Sequence, residues 1–179
     1  MNPLRFLFTG EPGCGKTTLV RRICEALSLQ AKKTGGMISG EIRKKGQRIG
    51  FKLEDILSGE TGILAHVDQA DGPRVGKYRV NLQDIERVGV AAIRRAILEA
   101  DVVVVDEIGP MELNSKPFIL AVELALASPK HFIGTIHKRA SHYLVSAIKT
   151  NPAYQVIEVT PANRDRLLAE ISEKFKHEI

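Results

Sequence analysis

Short apolar runs alternate along the chain with segments whose apolar residues recur every three to four positions. Residues 4–9 form one such run, which ends at Gly10, and residues 16–27 carry apolar side chains at the spacing of a helical face. The same alternation predicts helices at about residues 81–100, 116–128 and 140–150 and from Pro161, and strands at residues 102–105, 131–136 and 155–159. Alternating strands and helices predict an α/β fold with a mostly parallel sheet and helices on both of its faces.

Two of the predicted helices have recognisable starts. Asn81 can cap the first, with Asp84 at its third position, and Thr160 can cap the last, with Pro161 in its first turn. The last helix carries one apolar stripe, formed by Leu167, Leu168, Ile171 and Phe175. Such a stripe is typical of a helix that docks on its own sheet, although an amphipathic helix that binds a partner has the same pattern.

Residues 35–82 have a different character, because glycines separate short strand-like runs. This pattern predicts antiparallel hairpins inserted after the first helix, within one domain that spans residues 1–179. The segment 43–48, Arg-Lys-Lys-Gly-Gln-Arg, is the local basic cluster of the chain. Its central glycine favours a solvated hairpin tip, and an RNA-binding patch is the alternative.

Composition narrows the class of protein. Of the 179 residues, 44% are hydrophobic and 26% are charged, so the chain can form a substantial core and is not of a disordered or fibrous class. The 26 lysines and arginines exceed the 21 aspartates and glutamates, giving a net charge of +5. Because these charges are scattered, they are only a weak indication of a nucleic-acid partner.

Apolar runs and cysteines bear on the cellular location. No apolar run approaches the roughly 18 to 20 residues of a membrane span, and the N-terminal run is too short for a signal-peptide core, so no membrane association is expected. Cys14 and Cys24 have neither disulfide nor zinc spacing, which favours a reducing cytoplasm. The sequence leaves the oligomeric state open, a monomer included.

Residues 10–17 carry the strongest chemical signal. They read Gly-Glu-Pro-Gly-Cys-Gly-Lys-Thr, which matches the phosphate-loop pattern G-x-x-x-x-G-K-[ST] and lies between a predicted strand and helix, as that pattern requires. Backbone amides of such a loop surround a phosphate; catalytic Lys16 would reach the β- and γ-phosphates, and Thr17 would bind Mg²⁺. A glycine-rich turn with a chance Lys-Thr pair is the alternative. The nucleotide-binding residues predicted here are Gly10, Glu11, Pro12, Gly13, Cys14, Gly15, Lys16, Thr17 and Thr18.

Residues 102–107 form a second motif, four valines followed by Asp106 and Glu107. An apolar strand that ends in carboxylates has the form of a Walker B motif, at the edge of the sheet where open α/β folds bind ligands. Asp106 would hold Mg²⁺ through water, and Glu107 would take a proton from the attacking water; capping the next turn is the alternative role of Glu107. The nucleotide-binding residues predicted here are Val103, Val104, Val105, Asp106, Glu107, Ile108, Gly109 and Pro110.

Further candidates follow these motifs. Glu112 is interpreted as a helix-entry or surface carboxylate. His137 is a candidate catalytic residue that senses the γ-phosphate or orients water, provided that strand 131–136 neighbours the Walker B strand. Lys138 and Arg139 are candidates for a cation that stabilises the transferred phosphate. For all three residues after the strand, the alternative is a loop residue that caps the next helix.

Four segments together resemble the nucleoside-triphosphatase family first described from thermophiles, which includes the human cancer-related nucleoside-triphosphatase. They are residues 10–17, 106–113, 134–137 and 160–165, and the resemblance extends over nearly the whole chain. It implies a P-loop NTPase with a RecA-like core that slowly hydrolyses ATP, GTP and other nucleoside triphosphates, CTP and UTP among them, with Mg²⁺ as cofactor. Pro110 departs from the family pattern, which often has lysine there, so a cation at that position is not expected to contact phosphate.

Other functional classes stay open. No Asn-Lys-x-Asp guanine-binding motif occurs, which disfavours a small G protein and agrees with broad base tolerance. A P-loop kinase of nucleotides or small molecules would share Lys16 and Asp106, and a nucleic-acid-associated NTPase switch would use the basic segment 43–48. Asn163 and Arg164 are candidates to approach the base or ribose, or to satisfy the N-terminus of the last helix.

Overall fold

A central sheet organises the protein in a computed structural model, which describes residues 2–177. Its strands are β1 (Arg5–Thr9), β2 (Thr34–Lys44), β3 (Gln47–Asp55), β4 (Thr61–His66), β5 (Arg74–Val75), β6 (Tyr78–Val80), β7 (Val102–Ile108), β8 (His131–Ile136) and β9 (Gln155–Glu158). Their spatial order within the described residues is β5-β6-β4-β3-β2-β7-β8-β1-β9.

Helices cover both faces of this sheet. They are α1 (Lys16–Leu29), α2 (Leu82–Asp84), α3 (Ala91–Glu99), α4 (Lys116–Ala127), α5 (Tyr143–Thr150) and α6 (Arg164–Lys176), with a π-helical segment (Ile85–Val90) between α2 and α3 and a 3-10 turn (Glu112–Asn114) before α4. Side chains of α3, α4 and α5 belong to one hydrophobic core, and those of α1 and α6 belong to another. Alternate valines of β7 enter the two cores, so this strand is buried on both faces, as its unbroken apolar run predicts.

The sheet is mixed, which corrects the prediction of a mostly parallel sheet. Within residues 2–177, the pairs β1–β8, β1–β9, β2–β7 and β7–β8 are parallel, whereas β2–β3, β3–β4, β4–β6 and β5–β6 are antiparallel. The reason is that the glycine-rich hairpins extend the core sheet. Residues 34–37 of β2 pair in parallel with residues 102–105 of β7, and the rest of β2 continues into an antiparallel hairpin with β3.

Helix starts agree only in part with the sequence-based predictions. Asn81 caps α2 by accepting a hydrogen bond from the Asp84 amide at 3.0 Å. The last helix, however, begins at Arg164 with Asn163 as its cap residue, so the predicted cap by Thr160 is wrong. The physical reason is a turn before the helix: the Asn163 amide donates to Thr160 Oγ1, and Asn163 Oδ1 accepts from the Thr160 amide at 2.8 Å.

The basic segment 43–48 is a hairpin tip, as predicted, with Lys45 and Gly46 in the turn between β2 and β3. Arg43 and Arg48 both form ion pairs with Glu41, at 2.6 and 2.8 Å. Within residues 2–177, no helix is long and apolar enough to cross a membrane.

Candidate active site

The loop of residues 10–17, here called the glycine-rich loop, joins β1 to α1 and ends at the N-terminus of that helix. Gly15 has a φ of 98°, a left-handed conformation that glycine adopts without strain. A β-carbon at this position would also collide with the guanidinium of Arg164. The loop is therefore closely packed and presents backbone amides at a helix N-terminus, which is an arrangement suited to an anion.

Lys16 is held inside this loop. Its Nζ donates hydrogen bonds to the carbonyl oxygens of Gly10 and Glu11, at 3.0 and 3.3 Å, and the residue is only 9% exposed. A positive charge thus lies within the glycine-rich loop and would add to its attraction for phosphate.

Asp106 is the point where three elements meet. Its Oδ2 accepts a hydrogen bond from Thr17 Oγ1 of α1 at 2.9 Å and another from Ser39 Oγ of β2 at 3.3 Å, and its Oδ1 accepts from Thr135 Oγ1 of β8 at 2.6 Å. Burial raises the pKa of Asp106 above its ordinary value, while these hydroxyl donors oppose that rise. These donors are uncharged, so a cation at this carboxylate would stabilise its ionised form.

The oxygen atoms around Asp106 fit Mg²⁺. Mg²⁺ prefers oxygen ligands and is usually bound through one or two carboxylates together with water and substrate phosphates. A carboxylate and the Thr17 hydroxyl lie together beside the glycine-rich loop, which is where substrate phosphates would enter. Among the described residues there is no group of three or more His, Cys, Asp and Glu side chains placed to hold a metal.

Glu107 and Glu112 form a pair of carboxyl groups beside Gly109. A β-carbon on Gly109 would lie 2.6 Å from Glu107 Oε1 and 3.3 Å from Glu112 Oε2, so the two carboxyl groups in their present positions occupy the space beside this glycine. Burial, reinforced by the charge of Asp106, raises the pKa of Glu107 to about 7. Glu112 is 3% exposed, and burial together with the charge of Glu107 raises its pKa well above the ordinary value. The interpretation of Glu112 as a surface carboxylate is therefore wrong, because the 3-10 turn carries it inward.

Strand β8 lies beside β7, which meets the condition on which the prediction for His137 rested. His137 lines the same pocket as Lys16 and Glu107, and burial lowers its pKa, which favours the neutral ring. Lys138 and Arg139 pair with Glu11 of the glycine-rich loop, at 2.9 and 3.6 Å. Lys138 also pairs with Glu158 at 2.8 Å, so these two cations face two carboxylates at the edge of the loop.

The structure brings most predicted site residues to one pocket. Those that line it are Gly10, Pro12, Gly13, Gly15, Lys16, Thr17, Thr18, Glu107, Pro110 and His137. Four others, Val103, Val104, Val105 and Ile108, are fully buried in the hydrophobic cores, so their side chains support the site without lining it. Cys14 is also buried, whereas Glu11 is exposed at the loop's outer edge.

Sequence reasoning missed three residues of the site: Ser39, Thr135 and the buried Glu112. Each is polar within an apolar segment, which is a usable signal, but Ser39 and Thr135 contact Asp106 from far away in sequence, and Glu112 is buried by the local turn. The other candidates, Asn163 and Arg164, lie at the start of α6, where Arg164 packs against Gly15 and Asn163 donates to the Glu158 carbonyl at 2.9 Å.

Comparison with known proteins identifies the relatives of the chain. A family model described as NTPase matches residues 5–172. A nucleoside-triphosphatase THEP1 from Thermofilum pendens is 47% identical over 171 residues, which cover 95% of this chain and 94% of that protein. The nucleoside-triphosphatase THEP1 of Methanosarcina barkeri is 42% identical over 174 residues, covering 97% and 98% of the two chains.

Two solved structures have the same overall fold. The crystal structure of THEP1 from the hyperthermophile Aquifex aeolicus superposes with a TM-score of 0.84 and 36% identity, covering 94% of this chain and 96% of that one. The solution structure of a human cancer-related nucleoside triphosphatase superposes with a TM-score of 0.80 and 35% identity, covering 96% of this chain and 97% of that one. The resemblance predicted from four sequence segments is confirmed.

Proposed function

The chain belongs to the NTPase family of nucleoside triphosphate hydrolases, and from that premise we propose that it is Mg²⁺-dependent and hydrolyses ATP, GTP, CTP and UTP to the diphosphate and phosphate with little regard for the base. One observation carries the proposal: the 2.9 Å hydrogen bond from Thr17 to Asp106, which joins the glycine-rich loop to the carboxylates of β7. This is the arrangement in which P-loop enzymes bind Mg²⁺ and the terminal phosphates together.

The glycine-rich loop is the phosphate cradle of this proposal. Its amides bind the β-phosphate, and Lys16 exchanges its bonds to Gly10 and Glu11 for the β- and γ-phosphates. Amides bind phosphate oxygens whatever the base, so this part of the site supports broad base tolerance.

Hydrolysis requires a group that accepts a proton from water beside the γ-phosphate. Glu107 is that base, because it lines the pocket next to Lys16 and its pKa of about 7 lets it exchange a proton near neutral pH. Thr17 and Asp106 hold Mg²⁺, which neutralises charge on the phosphates when it is bound. His137, neutral and next to the glycine-rich loop, orients the water or senses the γ-phosphate.

We also assign the core to the RecA-like group of P-loop folds. The parallel neighbours β9, β1, β8, β7 and the start of β2 support this assignment, since they bring the loop after β1 and the carboxylates of β7 to the same edge of the sheet.

Phosphate release from the four nucleoside triphosphates, each with Mg²⁺ and with EDTA, tests the proposal. We expect turnover of all four that EDTA abolishes. Turnover that persists in EDTA contradicts the Mg²⁺ requirement. A preference for one base well above about a hundredfold contradicts broad tolerance, since a pocket that only fits a shape discriminates by about 10- to 200-fold and larger ratios require hydrogen bonds to a particular group.

A further inference from the structure

The pocket does not end at the glycine-rich loop. A cavity of about 600 Å³ runs from this loop past Glu107 and across the antiparallel part of the sheet. The distal part, here called the side chamber, is lined by Glu41, Arg48, Phe51, Leu64, Val75 and Tyr78. Ligand pockets of proteins commonly have volumes of about 300 to 1,000 Å³, so the cavity is large enough for more than a triphosphate chain.

Aromatic and aliphatic side chains form the walls of the side chamber. The rings of Phe51 and Tyr78 meet edge to face with their centroids 5.2 Å apart, and Leu64 is buried beside them. Arg48 is fixed on this wall, since its guanidinium lies 5.0 Å from the Phe51 ring centroid and its Nε donates to the Tyr78 hydroxyl at 3.0 Å. Such walls favour a flat, largely apolar molecule.

At the outer end of the side chamber, Glu41 and Arg48 line the wall and Arg43 lies just outside it, and together these three side chains carry a net charge of +1. Glu41 is paired with two arginines, Arg43 at 2.6 Å and Arg48 at 2.8 Å, so one cation of the three groups is not neutralised. Of the two arginines, Arg48 lines the chamber. Because Arg43 can neutralise Glu41, Arg48 is left to pair with an anionic substituent on the flat molecule.

The position of the side chamber decides which end of a nucleotide it faces. In the sheet, β8, β7 and β2 lie on one side of β1, and the strands of the chamber follow beyond β2. Glu107 on β7 and Ser39 on β2 lie between the glycine-rich loop and the chamber. A molecule in the chamber is thus on the side of the proposed base and the terminal phosphate.

We propose that the side chamber binds a phosphoryl acceptor, a flat aromatic alcohol that carries an anionic substituent. This inference rests on the proposed function of the same site. Water needs no apolar chamber to reach the γ-phosphate, whereas a ring held by the apolar walls with its anion at Arg48 would lie in the same pocket as Glu107, where its hydroxyl group can approach that base.

The transfer step uses the groups already assigned. The acceptor's hydroxyl oxygen forms a bond to the γ-phosphorus while the bond from that phosphorus to the β–γ bridging oxygen breaks. The nucleoside diphosphate leaves with the bridging oxygen and its electron pair, and the hydroxyl proton passes to the Glu107 carboxylate. Hydrolysis is the same step with water in place of the alcohol.

The test uses the full chain with Mg²⁺ and ATP, and 4-(hydroxymethyl)benzoate as the probe. Ligand-observed NMR measures binding of the probe, ³¹P NMR detects its phosphate ester, and phosphate release is followed in parallel. We expect ester formation by the wild type, and at least about tenfold weaker probe binding in Arg48→Met, the loss expected when a charge-assisted hydrogen bond is removed. Lys44→Met is the matched control, because Lys44 is an exposed cation of the same hairpin that does not line the chamber.

A second pair of variants blocks the space itself. Val75→Trp fills the mouth of the chamber and should abolish probe binding, while Val67→Trp, a half-buried valine of the same core that does not line the pocket, should not. Absence of ester, or probe binding that survives both Arg48→Met and Val75→Trp, overturns the inference. So does a rise in KM for ATP but not for inorganic tripolyphosphate in Val75→Trp, because the chamber would then hold the nucleobase. Loss of phosphate release in the wild type would instead refute the proposed function.

Discussion

Thr135 Oγ1 donates a 2.6 Å hydrogen bond to Asp106 Oδ1, and neither residue is more than 1% exposed. The bond joins the ends of two neighbouring parallel strands, β8 and β7. It leaves the other carboxylate oxygen to Thr17 and Ser39, at the side of the glycine-rich loop. Thr135 therefore fixes the orientation of the Asp106 carboxylate, whose other oxygen is the one that would face the proposed metal.

Replacing Thr135 by valine keeps the shape of the side chain and removes this donor. A buried Asp106 oxygen then lacks its partner, so we expect a loss of about 1 to 3 kcal/mol in the free energy of unfolding and a higher Mg²⁺ concentration for half-maximal phosphate release. Urea denaturation and a Mg²⁺ titration measure the two effects. Thr135→Ser keeps the hydroxyl and is the control. If valine matches the wild type in both measurements, Thr135 does not position Asp106.

Lys16→Ala should abolish productive binding of nucleoside triphosphates while the fold survives. In the proposed site the lysine donates charge-assisted hydrogen bonds to both the β- and the γ-phosphate; the loss of each weakens binding by about ten- to a hundredfold, so the loss of both leaves no productive binding at ordinary nucleotide concentrations. Isothermal titration with a non-hydrolysable triphosphate and circular dichroism check affinity and fold. Lys44→Ala, on the exposed hairpin, is the control. Near-normal hydrolysis by a folded Lys16→Ala protein would rule out the glycine-rich loop as the phosphate site.

The elements of the core could be predicted because their signals are local. The unbroken valines before Asp106 mark a strand buried on both faces, and the helical period of α1 places Leu19, Ile23 and Leu27 in a core. Pairing partners are not local. The antiparallel hairpins of residues 35–82 were predicted, but nothing in residues 34–44 indicates that one strand pairs in parallel with β7 and antiparallel with β3, so their continuation from the core sheet was not.

The same distinction holds for the site. The glycine-rich loop and the Asp106-Glu107 pair are contiguous motifs, so sequence sufficed to find them. Ser39 and Thr135 reach Asp106 only through the register of β2 and β8 with β7. Glu112 is carried inward by a turn around Gly109, and the side chamber consists of residues from β2 to β6. These groups become neighbours only in the folded sheet.

Glu112→Gln should stabilise the protein at alkaline pH. Burial beside Glu107 raises the pKa of Glu112 in the folded state, so the unfolded chain binds fewer protons once pH exceeds the ordinary value of 4.5. The stability contributed by the protonated carboxyl is full below that pH and is lost as pH rises towards the folded pKa. Glutamine keeps a neutral polar group and does not titrate.

Urea denaturation of the nucleotide-free protein between pH 4.5 and pH 9 checks this prediction. The stability of Glu112→Gln relative to the wild type should rise with pH, and the exposed Glu86→Gln is the surface control. A difference that is constant across this range would show that Glu112 is not held protonated in the folded protein.

Glu107→Gln and Asp106→Asn should separate the proton-accepting role from the metal-binding role. Glutamine keeps the size of Glu107 but cannot accept the proton of water, so turnover should fall by about 10²- to 10⁴-fold while nucleotide affinity holds. Asparagine at position 106 removes a charge that Mg²⁺ would neutralise and disturbs the bonds from Thr17 and Thr135, so the Mg²⁺ dependence should also change.

Phosphate release at saturating Mg²⁺-ATP, with nucleotide affinity measured in parallel, distinguishes the two. Unchanged turnover in Glu107→Gln would transfer the role of the base to another group, and His137, which lines the same pocket and is held neutral by burial, is the next to test.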